Sequence, residues 1–182
     1  MKHYFLLITL LYISFQGRSQ EAPSRFIRVS VANQMLYLID NEEVIEEYPI
    51  STSVYGIGSE AGSNKTPLGK HKILNKIGDK APLGTIFKSR INTGRKAKIY
   101  TDSTDLEEDD VTTRILRLTG LEPGKNKGPG VDSYSRYIYI HGTPEEGLIG
   151  KPASHGCIRM KNADVIKLFD QVEEGTLVMI EP

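Results

Sequence analysis

The chain is poor in tryptophan and cysteine, and the scarcity of cysteine limits the kinds of protein it can be. Among its 182 residues there is no tryptophan and only one cysteine, Cys157. A single cysteine cannot close an internal disulfide, so the chain is not a disulfide scaffold. An excess of charge of one sign is also lacking, because 23 basic residues balance 23 acidic ones. Nucleic-acid binding needs a basic excess to neutralise phosphates, so the composition argues against that partner.

Length and overall composition indicate one globular domain. A chain of 182 residues can bury a sizeable core, and 38% hydrophobic with 25% charged residues is ordinary for a globular protein. The sequence shows no internal repeat, low-complexity segment or second domain. We therefore predict a single domain over residues 26–182.

The N-terminal segment has the pattern of a secretory signal peptide. Lys2 supplies a positive start, residues 4–15 form an apolar run that is short for a bilayer span, and Gly17 and Ser19 suit cleavage. We predict a signal peptide over residues 1–19 and no membrane insertion after its removal; an uncleaved anchor is the alternative. In an oxidising compartment an unpaired cysteine is either buried and inert or kept for its reactivity.

Most of the remaining chain has the periodicity of β-strands. Alternating apolar residues and turn signals predict strands at 27–31, 35–39, 44–50, 71–74, 85–87, 115–118, 136–141 and 176–180. Apolar spacing predicts one helix over 162–173, with Asn162 as its N-cap. The stretch 104–130 ends in a long Gly- and Pro-containing loop, and we predict that it forms a lid over a substrate cleft.

The residues around the cysteine have the composition of a nucleophilic site. His141 ends a predicted strand, and Cys157 lies in the run Ser154-His155-Gly156-Cys157-Ile158-Arg159. A thiolate nucleophile needs a nearby base or positive charge, and its reaction needs backbone N–H groups for the oxyanion. Gly156 permits the sharp turn that leaves such groups open, and Arg159 could bind a carboxylate with two parallel hydrogen bonds. Together these residues predict acyl transfer through a thioester.

Other interpretations of the same residues remain open. His141, His155 and Cys157 could bind zinc with a water, although no paired cysteines or HExxH motif accompany them. One of the two histidines could be structural, as we predict for His71. Ser154 lacks the Gly-x-Ser-x-Gly context of a nucleophilic serine, so a hydrogen bond that shapes the loop is its expected role. Arg159 could be an ordinary surface ion-pair residue.

These motifs resemble a known family. His141-Gly142-Thr143 followed by Ser154-His155-Gly156-Cys157-Ile158-Arg159-Met160 is similar to the signature of the L,D-transpeptidase catalytic-domain family of bacterial cell-wall enzymes. The Thr66-Pro67-Leu68-Gly69 turn and the closing segment 175–180 match that family too, so the resemblance covers about residues 26–181.

The resemblance implies a fold and a set of roles. The fold would be a mainly β, sandwich-like catalytic domain with one or two short helices. Cys157 would be the nucleophile and His141 its general base. Ser154, His155, Gly156, Arg159 and Gly142 would border the oxyanion hole or hold the donor peptide. The family's chemistry needs no metal and no organic cofactor.

The resemblance also implies the reaction and its partners. Cys157 would attack the third residue of a peptidoglycan tetrapeptide stem and expel the terminal D-alanine. An amine of a neighbouring stem would then give a 3-3 cross-link, an amine of an outer-membrane lipoprotein would anchor that protein, and water would make the site an L,D-carboxypeptidase. The expected location is the periplasm, associated with the cell wall. A sortase-like acyltransferase and a catalytically silent wall-binding module are the competing hypotheses.

Overall fold

The structure, a computed structural model, describes residues 24–182, so the predicted signal peptide at 1–19 lies outside the described residues. Over this range the chain forms ten β-strands, one α-helix and a 3-10 turn at Glu146–Leu148. The strands are β1 Arg25–Ser30, β2 Met35–Asp40, β3 Glu43–Ser51, β4 Gly69–Ile77, β5 Thr85–Lys88, β6 Ile91–Lys96, β7 Val111–Gly120, β8 Tyr139–Gly142, β9 Ile158–Met160 and β10 Leu177–Glu181. The helix is α1, Asn162–Gln171.

Strand pairing closes most of the sheet into a ring. The order is β4-β10-β1-β2-β3-β9-β8-β7-β5-β6, and β4 also pairs with β7. Within residues 24–182, eight strands therefore form a barrel-like sheet, and β5 and β6 extend from β7 as a hairpin. Most pairs are antiparallel, whereas β1–β10 and β8–β9 are parallel. The mainly β prediction is confirmed.

A single large core joins the barrel to the helix. Alternate residues of the early strands, such as Ile27 and Val29 on β1 and Leu36 and Leu38 on β2, are fully buried. The predicted apolar stripe of α1 packs into the same cluster through Val165, Leu168 and Phe169. Each such side chain contributes about 1.5–3 kcal/mol by leaving water. The helix lies against β7 and β8, the two strands behind the predicted site.

Three local predictions were wrong. Asn162 is the first helical residue rather than the N-cap; it is buried, and its amide donates to the Thr143 carbonyl (2.7 Å). The strand predicted from 136 starts at Tyr139, because a turn closed by the Tyr137 N–H on the Tyr134 carbonyl (3.1 Å) precedes it. The helix ends at Gln171, two residues early.

The predicted lid at 104–130 was also wrong. Its middle, Val111–Gly120, is β7, which pairs with β4, β5 and β8 and is mostly buried. A strand that closes the barrel cannot open over a cleft. Only residues 104–110 remain as a loop beside the site. In residues 24–182, no helix is long and apolar enough to cross a membrane.

Candidate active site

The parallel pair β8–β9 brings the predicted catalytic residues onto one face. Ile140 pairs with Ile158 and His141 with Arg159. Side chains alternate along a strand, and both isoleucines are buried in the core, so His141 and Arg159 point to the opposite side. Cys157 immediately precedes β9 and shares that side. Cys157 and His141 are therefore diagonal neighbours on adjacent strands, a spacing that side chains can bridge.

The Cys157 thiol is half-buried at the edge of a small apolar cluster. It packs against Phe87, Ile115 and Tyr139, and its Sγ donates to the Tyr137 carbonyl (3.4 Å). Burial, followed by the negative charge of Asp109, raises the pKa of Cys157 to about 12. The resting sulfur is thus a neutral thiol, and it needs a base at the moment of attack.

His141 has the protonation state that such a base requires. Its ring is 1% exposed, and Nδ1 lies 2.8 Å from the Gly142 carbonyl oxygen. A carbonyl can only accept, so Nδ1 carries the proton and Nε2 keeps its lone pair. Burial lowers the pKa of His141, and its proximity to Asp109 opposes that shift without reversing it. The imidazole is therefore neutral at pH 7.

The loop before the thiol is shaped by Ser154 and Gly156. Ser154 Oγ donates to the Cys157 carbonyl (2.6 Å) and accepts from the Gly156 N–H (3.2 Å). Gly156 has φ +118°, a conformation that L-residues with side chains rarely adopt, and an added Cβ would lie 3.2 Å from the Lys65 carbonyl oxygen. Because its N–H is already engaged, Gly156 is the least available of the expected oxyanion donors.

Arg159 is buried and ion-paired, whereas the sequence suggested that it holds the donor peptide or lies at the surface. Its side chain is 2% exposed, and its two terminal nitrogens contact Glu145 Oε2 (2.6 Å) and Asp109 Oδ2 (2.8 Å). Both ends of the guanidinium are engaged by the protein's own carboxylates, so it neither lies at the surface nor offers a free fork to a donor peptide. Its place in the structure is that of a buried positioning residue.

Two acidic residues that sequence patterns did not single out complete this network. Glu145 is fully buried under Arg159, and burial raises its pKa. Asp109 Oδ2 also lies 3.4 Å from the backbone nitrogen and from Nδ1 of His155. Burial opposes ionisation of Asp109, but its interactions with His141 and with the Arg159 guanidinium outweigh burial, and its pKa is lowered. The acidic run 107–110 was the only sequence signal for Asp109.

The structure bears on two alternatives raised by the sequence, a structural role for His71 and a zinc site. His71 is fully buried away from the thiol, with Nδ1 3.0 Å from the Gly69 carbonyl oxygen and Nε2 2.9 Å from Ser133 Oγ. Burial lowers its pKa to about 4.

Over residues 24–182 no three His, Cys, Asp or Glu side chains are grouped to hold a metal ion, so His141, His155 and Cys157 do not form such a set.

A neutral thiol and a neutral imidazole on one face of a closed sheet define a class of thiol enzyme. The family model for the L,D-transpeptidase catalytic domain, YkuD, matches residues 24–180. The chain therefore belongs to the L,D-transpeptidase catalytic-domain family, which is an enzyme family of the bacterial cell wall.

Curated relatives match only part of their own length. The inferred L,D-transpeptidase YkuD of Bacillus licheniformis is 48% identical over 61 residues, which are 33% of this chain and 37% of that protein. The probable L,D-transpeptidase YcfS of Escherichia coli is 26% identical over 174 residues, which are 94% of this chain and 48% of that protein. The chain thus spans about half or less of these relatives.

Solved structures support the fold. An L,D-transpeptidase from Mycobacterium smegmatis matches with a TM-score of 0.55 and 18% identity, over 87% of this chain and 59% of that one. L,D-transpeptidase 3 of Mycobacterium tuberculosis, in complex with a faropenem-derived adduct, matches with a TM-score of 0.53 and 18% identity, over 88% and 61%.

Proposed function

We propose that this protein acts on peptidoglycan stem peptides through a thioester on Cys157, with His141 as general base. The observation that carries the proposal is the shared face of the two side chains, together with the bond from His141 Nδ1 to the Gly142 carbonyl (2.8 Å). That bond fixes the tautomer in which Nε2 accepts a proton. Family membership supplies the substrate class.

The acylation step follows from the two neutral groups. As Cys157 Sγ attacks the carbonyl carbon of the third stem residue, the thiol proton passes to His141 Nε2 and the carbonyl becomes an oxyanion. Because the Gly156 N–H is bonded to Ser154 and the His155 N–H faces Asp109, the Cys157 N–H is the oxyanion donor we propose. Collapse breaks the bond to D-alanine, whose amine takes the proton back from Nε2.

The acceptor decides the product. An amine or a water attacks the thioester carbon, gives its proton to His141 Nε2, and Cys157 leaves as a thiol when that proton returns. A stem amine gives a 3-3 cross-link, a lipoprotein amine anchors that protein, and water gives a carboxypeptidase. We propose transpeptidation as the main outcome and an extracytoplasmic, periplasmic location at the cell wall, in keeping with the family's substrate.

The test is intact-mass analysis of the purified mature protein with a disaccharide tetrapeptide, beside Cys157→Ala. We expect an adduct and D-alanine release from the unmodified protein alone, and the released product identifies the acceptor. The solved structure of a similar protein with a faropenem-derived adduct motivates a parallel arm with faropenem. A folded protein with a free thiol that gives neither adduct nor D-alanine would favour the wall-binding module.

A further inference from the structure

A row of alternating arginine and tyrosine side chains lies beside the thiol on the side away from Arg159. Arg117 lies over the Tyr134 ring, with 3.5 Å from its guanidinium carbon to the ring centre, and 5.5 Å from the Tyr137 ring centre. Arg90 lies 5.2 Å from the Tyr137 ring centre, and its Nη1 donates to the Tyr139 hydroxyl (3.2 Å). These five residues are called the Arg–Tyr patch below.

The patch borders the reacting sulfur directly. The Tyr137 carbonyl accepts the bond from Cys157 Sγ (3.4 Å), and Tyr139 packs against the thiol. Arg90, Tyr137 and Tyr139 also line a cavity of about 270 Å³, whose other walls include Phe87 and Ile115 of the same apolar cluster. The cavity therefore adjoins both Arg90 and the apolar cluster against which Cys157 packs.

The two arginines of the patch lack the acidic partners that Arg159 has. Among residues 24–182, the ion pairs formed by arginine involve Arg25 and Arg159, and none involves Arg90 or Arg117. Arg117 is only 8% exposed, and its Nε is buried without a hydrogen-bond partner. A buried guanidinium is normally paired with an acid, so an anion from a bound ligand would supply the missing counter-charge.

Two residues of the patch have unusual backbone angles. Ser89 and Arg90 form the two-residue turn between β5 and β6 with φ of 48° and 71°, although such turns usually contain asparagine and glycine. Tyr137 has φ 57°, an outlier for a bulky residue. Strained conformations of this kind cluster at ligand sites, where the surrounding structure maintains them. At these two positions Arg90 donates to the Tyr139 hydroxyl and the Tyr137 carbonyl accepts from the thiol.

We propose that the Arg–Tyr patch is the subsite that binds a carboxylate of the donor peptide, an inference that rests on the proposed function. A guanidinium fork matches a carboxylate, and the tyrosine faces cover the adjoining peptide. The donor stem offers two sources of this group near the attacked carbonyl: the terminal D-alanine and the distal carboxylate of a diamino acid. The patch thus orients the donor, and Arg159 does not.

A first test needs no peptidoglycan. Cys157 is alkylated with iodoacetate or with neutral iodoacetamide, each displacing iodide, and the ratio of the two rate constants is measured by intact mass. We expect Arg90→Gln to lower the iodoacetate-to-iodoacetamide ratio about tenfold, as for the loss of one charge-assisted hydrogen bond. Arg28→Gln is the matched control, since Arg28 lies over Tyr37 on a distant strand. An unchanged ratio in Arg90→Gln would overturn the proposal.

A second test uses donor peptides on the same variants. Release of the fourth residue is compared for the tetrapeptide, for its C-terminal amide, which would release D-alaninamide, and for the tetrapeptide amidated at the distal carboxylate. The peptide whose kcat/KM no longer responds to Arg90→Gln lacks the carboxylate that the patch binds, and Arg90→Lys should recover part of the rate. If all three respond equally, the subsite is refuted. If iodoacetate is preferred but no peptide releases D-alanine, the proposed function fails and the anion subsite stands.

Discussion

The most direct prediction concerns the charge of Cys157 in the resting protein. Its pKa is raised from 9.0 to about 12, chiefly by burial and then by Asp109. At pH 7 a thiol of pKa 9.0 is about 1% ionised, and a thiol of pKa about 12 carries about a thousandfold less thiolate. Alkylation of Cys157 by iodoacetamide should therefore be at least a hundredfold slower at pH 7 than that of a free cysteine, because only the thiolate reacts.

The assay is the rate of iodoacetamide modification between pH 6 and 10, followed by intact mass. The rate should rise about tenfold per pH unit without a plateau. Asp109→Asn should raise the rate throughout, because it removes the negative charge that disfavours the thiolate, whereas Asp170→Asn on the exposed side of α1 should have no effect. A plateau with an apparent pKa below 8 would refute the neutral pair and indicate a resting thiolate–imidazolium pair.

Three further predictions concern the framework of the site. His71 stays neutral to about pH 4 when folded but titrates near 6.5 when unfolded, so the free energy of unfolding should fall by about 3 kcal/mol between pH 7 and 4 relative to His71→Gln, measured by urea denaturation at each pH. Gly142→Ala would place a Cβ 2.7 Å from Asn162 Oδ1 and 2.8 Å from the Thr112 carbonyl oxygen, and should lower stability by about 1–3 kcal/mol in thermal denaturation. Arg159→Met leaves Glu145 buried without its counter-charge and should cost about 3–5 kcal/mol in urea, and adding Glu145→Gln should recover part of that loss. A double variant no more stable than Arg159→Met would contradict the ion-pair account.

The parts that could be predicted from sequence are those whose signal is local. Strands β1 and β2 alternate apolar and polar residues and bury one face as that pattern requires, whereas β3 buries residues only at its end, from Tyr48. The stripe of α1 follows the helical period and faces the core. The cysteine and histidine of the site lie in one short stretch, so their motif was recognisable before any pairing was known.

The parts that could not be predicted depend on partners far apart in the chain. β7 carries Arg114 and Arg117 at buried positions, so its pattern predicted only the strand at 115–118 and not the full strand Val111–Gly120. Arg159 finds one of its acids 50 residues upstream, at Asp109, and that distance hides the pair from any spacing argument. The turn at Arg90 has neither glycine nor asparagine, so it gave no hairpin signal.

The place of β9 in the sheet also bears on when in folding the environment of Cys157 is completed. β9 pairs with β3 as well as β8, and its Arg159 lies opposite Ser51, 108 positions earlier in the chain. The ring closes only when β10, the last strand, enters between β1 and β4. Contacts this distant form late, because the chain between them must first be ordered. Because its raised pKa depends on burial, we expect Cys157 of a partly folded chain to react as an ordinary cysteine until the sheet is complete.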